Sequence, residues 1–284
     1  MKCLLLINSS SGNSTGLADG ELIKVLKELY GEVEKTVYGI DSPLDIGKAS
    51  EGFDAVAVCG GDGTFNYAVN ALRDKKIDLI FVPCGTFNDC AHTLKRINGG
   101  RGVYTLDMGE LNGRLFNYVA AAGSFTPIGY KPRPKYKKIF KRLVYYFFAF
   151  KEYKVHRIRA SLTIDGEHTE GCYTLMMAAN SRYVFGFHFN RLYRPDDGTA
   201  QLLLIRSPEG AFKFIKMFFW FFRAFFVGFD APYESKNMKF RSFRHCNIES
   251  ERPIEFCVDG ERVPGVTNGS ILIHKQKGKV ILLG

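Results

Sequence analysis

Apolar residues along this chain follow two different patterns, and the change from one to the other divides it. In the first hundred or so residues, short unbroken apolar runs alternate with stretches of helical spacing. Cys3-Leu4-Leu5-Leu6-Ile7 reads as a buried strand, and residues 17–30 carry Leu22, Val25, Leu26 and Leu29 on one helical face. Residues 33–38 read as a strand and residues 43–50 as a short helix. Asp54-Ala55-Val56-Ala57-Val58-Cys59 and Ile77-Asp78-Leu79-Ile80-Phe81-Val82 are two further strand runs, each followed by a glycine-containing turn and a helical stretch. This βαβα order predicts a parallel sheet with helices on both faces. From Val103 onward, strand runs follow one another instead, at 103–108, 114–122, 157–164, 172–179, 200–205, 239–248 and 254–258. Turns such as Asp165-Gly166 and Asp197-Gly198 separate them, which predicts a mainly antiparallel β-sandwich. The expected division is 1–115 and 116–284, with two short strands in residues 270–283 returning to the first domain.

A length of 284 residues suits two such domains, and a hydrophobic fraction of 46% argues against disorder. The net charge of +10 favours anionic partners: nucleotide, nucleic acid or acidic membrane. No recognised nucleic-acid module is present, so nucleic acid is not expected. Cysteines 3, 59, 84, 90, 172, 246 and 257 form no C-x-x-C pair. Buried free thiols in a reducing compartment are the expected state. The apolar run 3–7 is too short for a signal-peptide core, so a cytoplasmic location is expected.

Gly60-Gly61-Asp62-Gly63-Thr64 lies between a strand run and a helical stretch that begins near Phe65. A glycine turn there lets backbone N–H groups and the helix N-terminus hold a phosphate. An aspartate inside it would repel the anion unless a metal or a proton donor intervenes, which points to phosphoryl transfer. Asp62 can hold magnesium through water, shape the loop, or simply cap the helix. A second turn, Pro83-Cys84-Gly85-Thr86-Phe87-Asn88-Asp89, follows the next strand, so both would share one carboxyl edge. Thr64 and Thr86 can donate to phosphate oxygens or serve as helix N-caps. Asn88 and Asp89 fall in the first turn of the second helix, where Asp89 can order the loop or bind metal indirectly.

Gly60 to Thr64 with Asn66, followed by Pro83, Gly85-Thr86 and Asn88-Asp89, resembles the diacylglycerol kinase catalytic superfamily, in particular its soluble bacterial lipid kinases. Asn8 with Ser11-Gly12 is similar to that family's first-strand motif, with Ser9 where proline is usual. Pro195-Asp196-Asp197-Gly198 and Val258-Asp259-Gly260-Glu261 resemble its later motifs. The resemblance implies an N-terminal α/β domain of the NAD kinase/diacylglycerol kinase fold and a C-terminal β-sandwich. It implies an ATP- and Mg²⁺-dependent lipid kinase, with diacylglycerol converted to phosphatidic acid as the leading substrate pair. It makes Glu261 the general base. It makes the Asp197 turn a structural magnesium site, with Arg194 and Thr199 supplying carbonyls; Asp196 is the alternative register. From the residues alone, an exposed hairpin glutamate is the better reading of Glu261, because Asp165-Gly166-Glu167 repeats the triplet; the resemblance shifts the balance to the base. Where the family carries arginine after its second loop, this chain has His92, which leaves phosphate neutralisation open.

Two segments suggest a lipid surface. Residues 131–142 mix Lys131, Arg133, Lys135 and Lys138 with aromatics. Residues 212–229 are nearly all aromatic, interrupted by Lys213, Lys216 and Arg223, which argues against a transmembrane span. That stretch reads equally as a core helix packed on the sheet. The expected partner is a lipid substrate at a membrane met peripherally, and a homodimer is compatible with the sequence. An NAD kinase-like enzyme and a non-enzymatic lipid or nucleotide sensor are the alternatives.

Overall fold

The computed structural model describes residues 1–11, 20–39, 42–84, 89–98, 102–124, 126, 154–184 and 186–282. The first part alternates β1 (Lys2–Asn8), α1 (Glu21–Tyr30), β2 (Glu32–Tyr38), α2 (Ile46–Ala49), β3 (Ala55–Gly60), α3 (Asp62–Ala71), β4 (Asp78–Pro83) and α4 (Asp89–Asn98). Its strands pair in parallel in the order β4-β3-β1-β2. Successive side chains of a strand leave opposite faces, so β1 feeds two cores. Leu4 and Leu6 join Val56, Val58, Phe65 and Phe81 on one side. Cys3, Leu5 and Ile7 join Leu22, Leu26 and Ala57 on the other. Burial on both faces explains why these strands are apolar throughout rather than alternating.

The second part is β5 (Gly102–Leu111), β6 (Arg114–Phe116), β7 (Val119–Gly123), β8 (Ile158–Ile164), β9 (Glu167–Ala179), the small hairpin β10 (Tyr183–Val184) and β11 (Phe187–His188), and β12 (Ala200–Arg206). Helix α5 (Lys213–Phe221) continues into a π-helical turn, Phe222–Val227. Then come β13 (Tyr233–Glu234), β14 (Met238–Phe243), β15 (His245–Val258) and β16 (Glu261–Leu282). The pairings are antiparallel. Long strands β9 and β15 each pair with β8 along one half and with β7 along the other. The sheet thereby closes around a core of Leu162, Met176, Leu202, Ile248 and Phe256. A single strand, β16, runs from its hairpin with β15 to a parallel pairing with β4, Val280 opposite Leu79. The antiparallel and parallel halves are thus one continuous sheet.

Two strand runs are broken in the structure. The 114–122 run stops at Asn117 and Tyr118, whose backbone N–H groups donate to the Asp259 carboxylate at 2.7 and 3.1 Å. The 239–248 run stops at Arg244, whose N–H donates to Asp165 Oδ1 at 3.0 Å. In both places a turn aspartate takes donors that a ladder would otherwise use. Conversely, 254–258 is not a separate strand but the end of β15, joined to its first half across register shifts. Residues 270–282 belong to one strand with a shift between His274 and Gly278, not to two.

All seven cysteines are free, and burial pushes the Cys3 and Cys84 thiols up to about 11 and those of Cys59 and Cys246 up to about 12. No helix among the described residues is long and apolar enough to cross a membrane.

Candidate active site

Helix α3 starts at Asp62, not near Phe65, and its N-cap is Gly61, which makes no side-chain cap bond. Asp62, Gly63 and Thr64 therefore form the first turn, where N–H groups lack helical partners and face out of the N-terminus. Thr64 is not an N-cap. Its hydroxyl is held from β1 instead: Asn8 Nδ2 donates to Thr64 Oγ1 at 2.8 Å, and Ser11 Oγ lies 3.4 Å away. Asn8 Oδ1 accepts from the Ser10 N–H at 3.0 Å, which shapes the loop after β1. A Cβ on Gly60 would stand 2.4 Å from the Thr64 side chain, so this turn needs glycine at 60 if Thr64 is to sit beneath it.

Asp62 does not cap its own helix. It reaches across to the next unit, where its Oδ1 accepts from the Cys90 N–H in the first turn of α4 at 3.2 Å. The carboxylate therefore ties two helix N-termini together at the carboxyl edge of the sheet. Gly85, Thr86 and Asn88 lie outside the described residues, as does the Asp89 side chain; the Asp89 backbone opens α4. His92 is exposed on α4.

The 258–261 hairpin meets α3 from the other half. Asn66, on the second turn, donates Nδ2 to Asp259 Oδ2 at 2.8 Å and to the Leu115 carbonyl at 2.9 Å. The Asp259 carbonyl approaches to 3.9 Å of the position a Cβ would take on Gly63. Asp259 is 3% exposed and also accepts from the Asn117, Tyr118 and Val119 N–H groups. Burial pushes its carboxyl up to about 7 against the pull of those backbone donors, and the nearby charge of Asp62 adds to the push. Glu261 follows at the start of β16, opposite Val258, and is exposed. In this hairpin it is Asp259 that is buried, while Glu261 meets solvent.

The 195–199 turn is clamped from β5. The Asp107 N–H donates to the Pro195 carbonyl at 2.6 Å, and Asp107 Oδ2 accepts from the Gly198 N–H at 2.5 Å. Asp197 is exposed, and its Oδ1 accepts from the Thr199 N–H and hydroxyl at 2.9 and 2.8 Å. The buried Tyr193 phenol, pushed well up by burial, senses Cys90, Asp107, Asp197 and Asp196. This turn thus stands beside the α4 end that Asp62 holds. No group of three or more His, Cys, Asp or Glu side chains is arranged to hold a metal among the described residues. One Asp197 carboxylate oxygen is tied into the turn by the Thr199 N–H and hydroxyl.

Sequence reasoning passed over Asp107, Asn117 and the structural role of Asp259. A lone aspartate in the apolar run Val103-Tyr104-Thr105-Leu106-Asp107-Met108 was the available signal for the first. Asn117 is 3% exposed, and neither polar atom of its side chain has a hydrogen-bond partner among the described residues. A groove of about 490 Å³ is lined by Gly123, His156, Arg159, Glu251 and Arg252 among others. It adjoins the end of β7 remote from Asp259.

Comparison with known proteins agrees with this geometry. Residues 2–107 match the diacylglycerol kinase catalytic domain. Diacylglycerol kinases of Staphylococcus aureus strains JH9 and Newman are each 28% identical over 208 residues, 66% of this chain and 64% of theirs. The matched part thus spans a little under two thirds of those relatives' length. Among solved structures, a candidate diacylglycerol kinase of Bacillus anthracis strain Sterne superposes with TM-score 0.72 at 19% identity, covering 99% of this chain and 97% of that one. A diacylglycerol kinase of the same strain gives 0.67 at 20% identity, with the same coverage. At such identities the superpositions establish the fold alone. The glycine-aspartate loop of α3 and its asparagine lie inside the matched region, so the sequence matches of residues 2–107 and of the curated relatives point to the diacylglycerol kinase catalytic superfamily.

Proposed function

We propose that the chain is an ATP- and magnesium-dependent kinase that phosphorylates a lipid hydroxyl, with diacylglycerol as acceptor and phosphatidic acid as product. The observation that carries this reading is the seating of the 258–261 hairpin on the first two turns of α3 through Asn66 and Asp259. It supports a role for Glu261, two residues beyond Asp259 in the same hairpin, at a helix N-terminus suited to phosphate.

In this reading the N–H groups of residues 62–64 and the Thr64 hydroxyl hold the nucleotide phosphates, with Asn8 orienting that hydroxyl. Gly85, Thr86, Asn88 and Asp89 complete the cradle from the second loop. Magnesium supplies charge neutralisation on the phosphates when bound. Asp62 is the group that would hold it, through water; a structural magnesium would be held at the Asp197 turn, with the Arg194 and Thr199 carbonyls. Glu261 takes the acceptor proton as the hydroxyl oxygen bonds to the γ-phosphorus; the bond to the β–γ bridging oxygen breaks, and ADP leaves. Asp259 positions Glu261 by fixing the hairpin. A lipid acceptor places the working protein on a membrane surface.

The test is incubation with γ-labelled ATP, magnesium and a lipid panel in mixed micelles, with NAD as soluble control. Label in phosphatidic acid is expected. Label only in NADP, or in no acceptor, would refute the reading.

A further inference from the structure

Helix α5 and its π-turn have two apolar faces, and among the described residues only one is covered. Met217, Phe221 and Ala224 are buried on the sheet against Leu175, Met177, Leu203 and Phe240. On the other side Phe212, Ile215, Phe218, Phe219, Phe222 and Phe226 are each between 46% and 67% exposed. Phe218, Phe222 and Phe226 stack along the helix, with ring centroids 6.2 and 5.1 Å apart. A contiguous aromatic ridge of this kind is unfavourable in water and marks a contact surface.

We infer that this ridge is the surface by which the protein docks on an anionic lipid bilayer. Charge selects the occupant. Residues 211–229 contain Lys213, Lys216 and Arg223 and no acidic residue, in a chain of net charge +10. Lys216 is exposed beside the ridge, whereas Arg223 is turned inward, its guanidinium 4.7 and 4.8 Å from the Phe229 and Tyr233 rings. Aromatic side chains flanked by lysines are the composition of helices that lie in the headgroup region. Among the described residues no helix can span a bilayer, so this one lies on it.

The ridge is also fixed to the candidate site. The core beneath α5 includes Tyr118 and Val119, and the backbone N–H groups of these two residues donate to Asp259. Docking would therefore anchor the bilayer to the strand that holds the Glu261 hairpin. The choice of a bilayer as occupant rests on the lipid-kinase reading, but docking itself is measured without nucleotide.

The experiment uses the full chain and vesicles of phosphatidylcholine with about 30% phosphatidylglycerol, the fraction chosen to give a surface charge in the range of anionic membranes. Trp220 is the only tryptophan and lies half-buried at the C-terminal end of α5, next to Phe219 of the ridge, so quenching by brominated acyl chains reports insertion of this helix. Vesicle sedimentation with Trp220 quenching is expected, weaker on pure phosphatidylcholine. Phe218→Ser/Phe222→Ser/Phe226→Ser should lower the partition coefficient about 10²-fold with an unchanged circular dichroism spectrum. If that variant misfolds, Lys213→Gln/Lys216→Gln should lower binding to the anionic vesicles about 10-fold or more. An unquenched Trp220 on bound vesicles, or variants that bind as the parent does, would overturn the inference. So would a ridge variant that only converts a dimer to monomer, since the ridge would then be a self-interface. Docking with no phosphate transfer to any lipid would leave this inference standing and refute the kinase reading. Transfer to a short-chain soluble diacylglycerol by a protein whose ridge does not bind vesicles would do the reverse.

Discussion

The chain contains the same hairpin twice, and only one copy carries the candidate chemistry. Asp165-Gly166-Glu167 and Asp259-Gly260-Glu261 have nearly equal turn angles, φ 49° and 90° against 47° and 89°. In each, the aspartate N–H donates at 2.9 Å to a carbonyl of the strand it faces, His245 or Val119. In each, the carboxylate accepts N–H groups where that strand begins. What differs is the environment. Asp165 stays exposed, and Glu167 pairs with Arg241, which holds its carboxyl below the usual range. Asp259 is covered by α3 and gains Asn66 as a partner, while Glu261 stays exposed. A turn motif acquires its function from the element that closes over it.

Four outcomes would sharpen or break that contrast. The largest effect is expected at the loop on which the second copy sits. Asp62→Ala removes the charge linking the two helix N-termini and should lower phosphoryl transfer by about 10³-fold or more while the fold persists. Normal turnover in a folded variant would remove this loop from the mechanism. Next comes stability. Asp259→Ala strands three buried backbone donors and Asn66, and should cost about 3–5 kcal/mol in urea titration. Asp165→Ala, whose donors can turn to water, should cost about 1 kcal/mol or less. Equal losses would mean that burial does not separate the two turns.

The third outcome is a pH dependence. Asp259 has its carboxyl raised from 3.8 to about 7 in the fold, so the native state keeps a proton that the unfolded chain releases. Its contribution to stability is present in full below about pH 4 and is lost as pH rises toward 7, by about 4 kcal/mol at most. Relative to Asp259→Asn, the parent should therefore weaken across that window; a flat difference would place the Asp259 pKa near its ordinary value. The smallest effect is expected at Asp197. Asp197→Ala should erase a magnesium-dependent rise in Tm of about 2–4 °C. An undiminished rise would make Asp197 a turn residue only, with the clamp from Asp107 sufficient to hold the loop.

The parallel half was legible because its signals are local. Unbroken apolar runs such as Ala55-Val56-Ala57-Val58 and the glycine turn after them read directly as strand and loop. The start of α3 at Asp62 was missed because glycine at 61 and 63 does not favour helix, while the bonds that fix the turn come from Asn8 and Cys90. The breaks at Asn117 and Arg244 were illegible for the same reason: their cause lies 142 and 79 residues away, in the carboxylates of Asp259 and Asp165. In the candidate site, Asp62, Asn66 and the late Asp-Gly-Glu triplet could be named from sequence. That Asn66 and Asp259 join was not readable from either segment alone. The aromatic run at 212–229 left core and surface open, and the structure assigns Met217 and Phe221 to the first and Phe218 and Phe222 to the second. The basic segment 131–142 lies outside the described residues.

The central claim is tested most directly by turnover of γ-labelled ATP on diacylglycerol micelles in Glu261→Gln and Glu167→Gln side by side. A base acts when the acceptor proton leaves, so Glu261→Gln should lower kcat by about 10²–10⁴-fold with little change in ATP affinity. Glu167→Gln, the same substitution in the same turn, should leave kcat unchanged. Equal behaviour of the two variants, or a Glu261→Gln defect confined to ATP binding, would contradict the account.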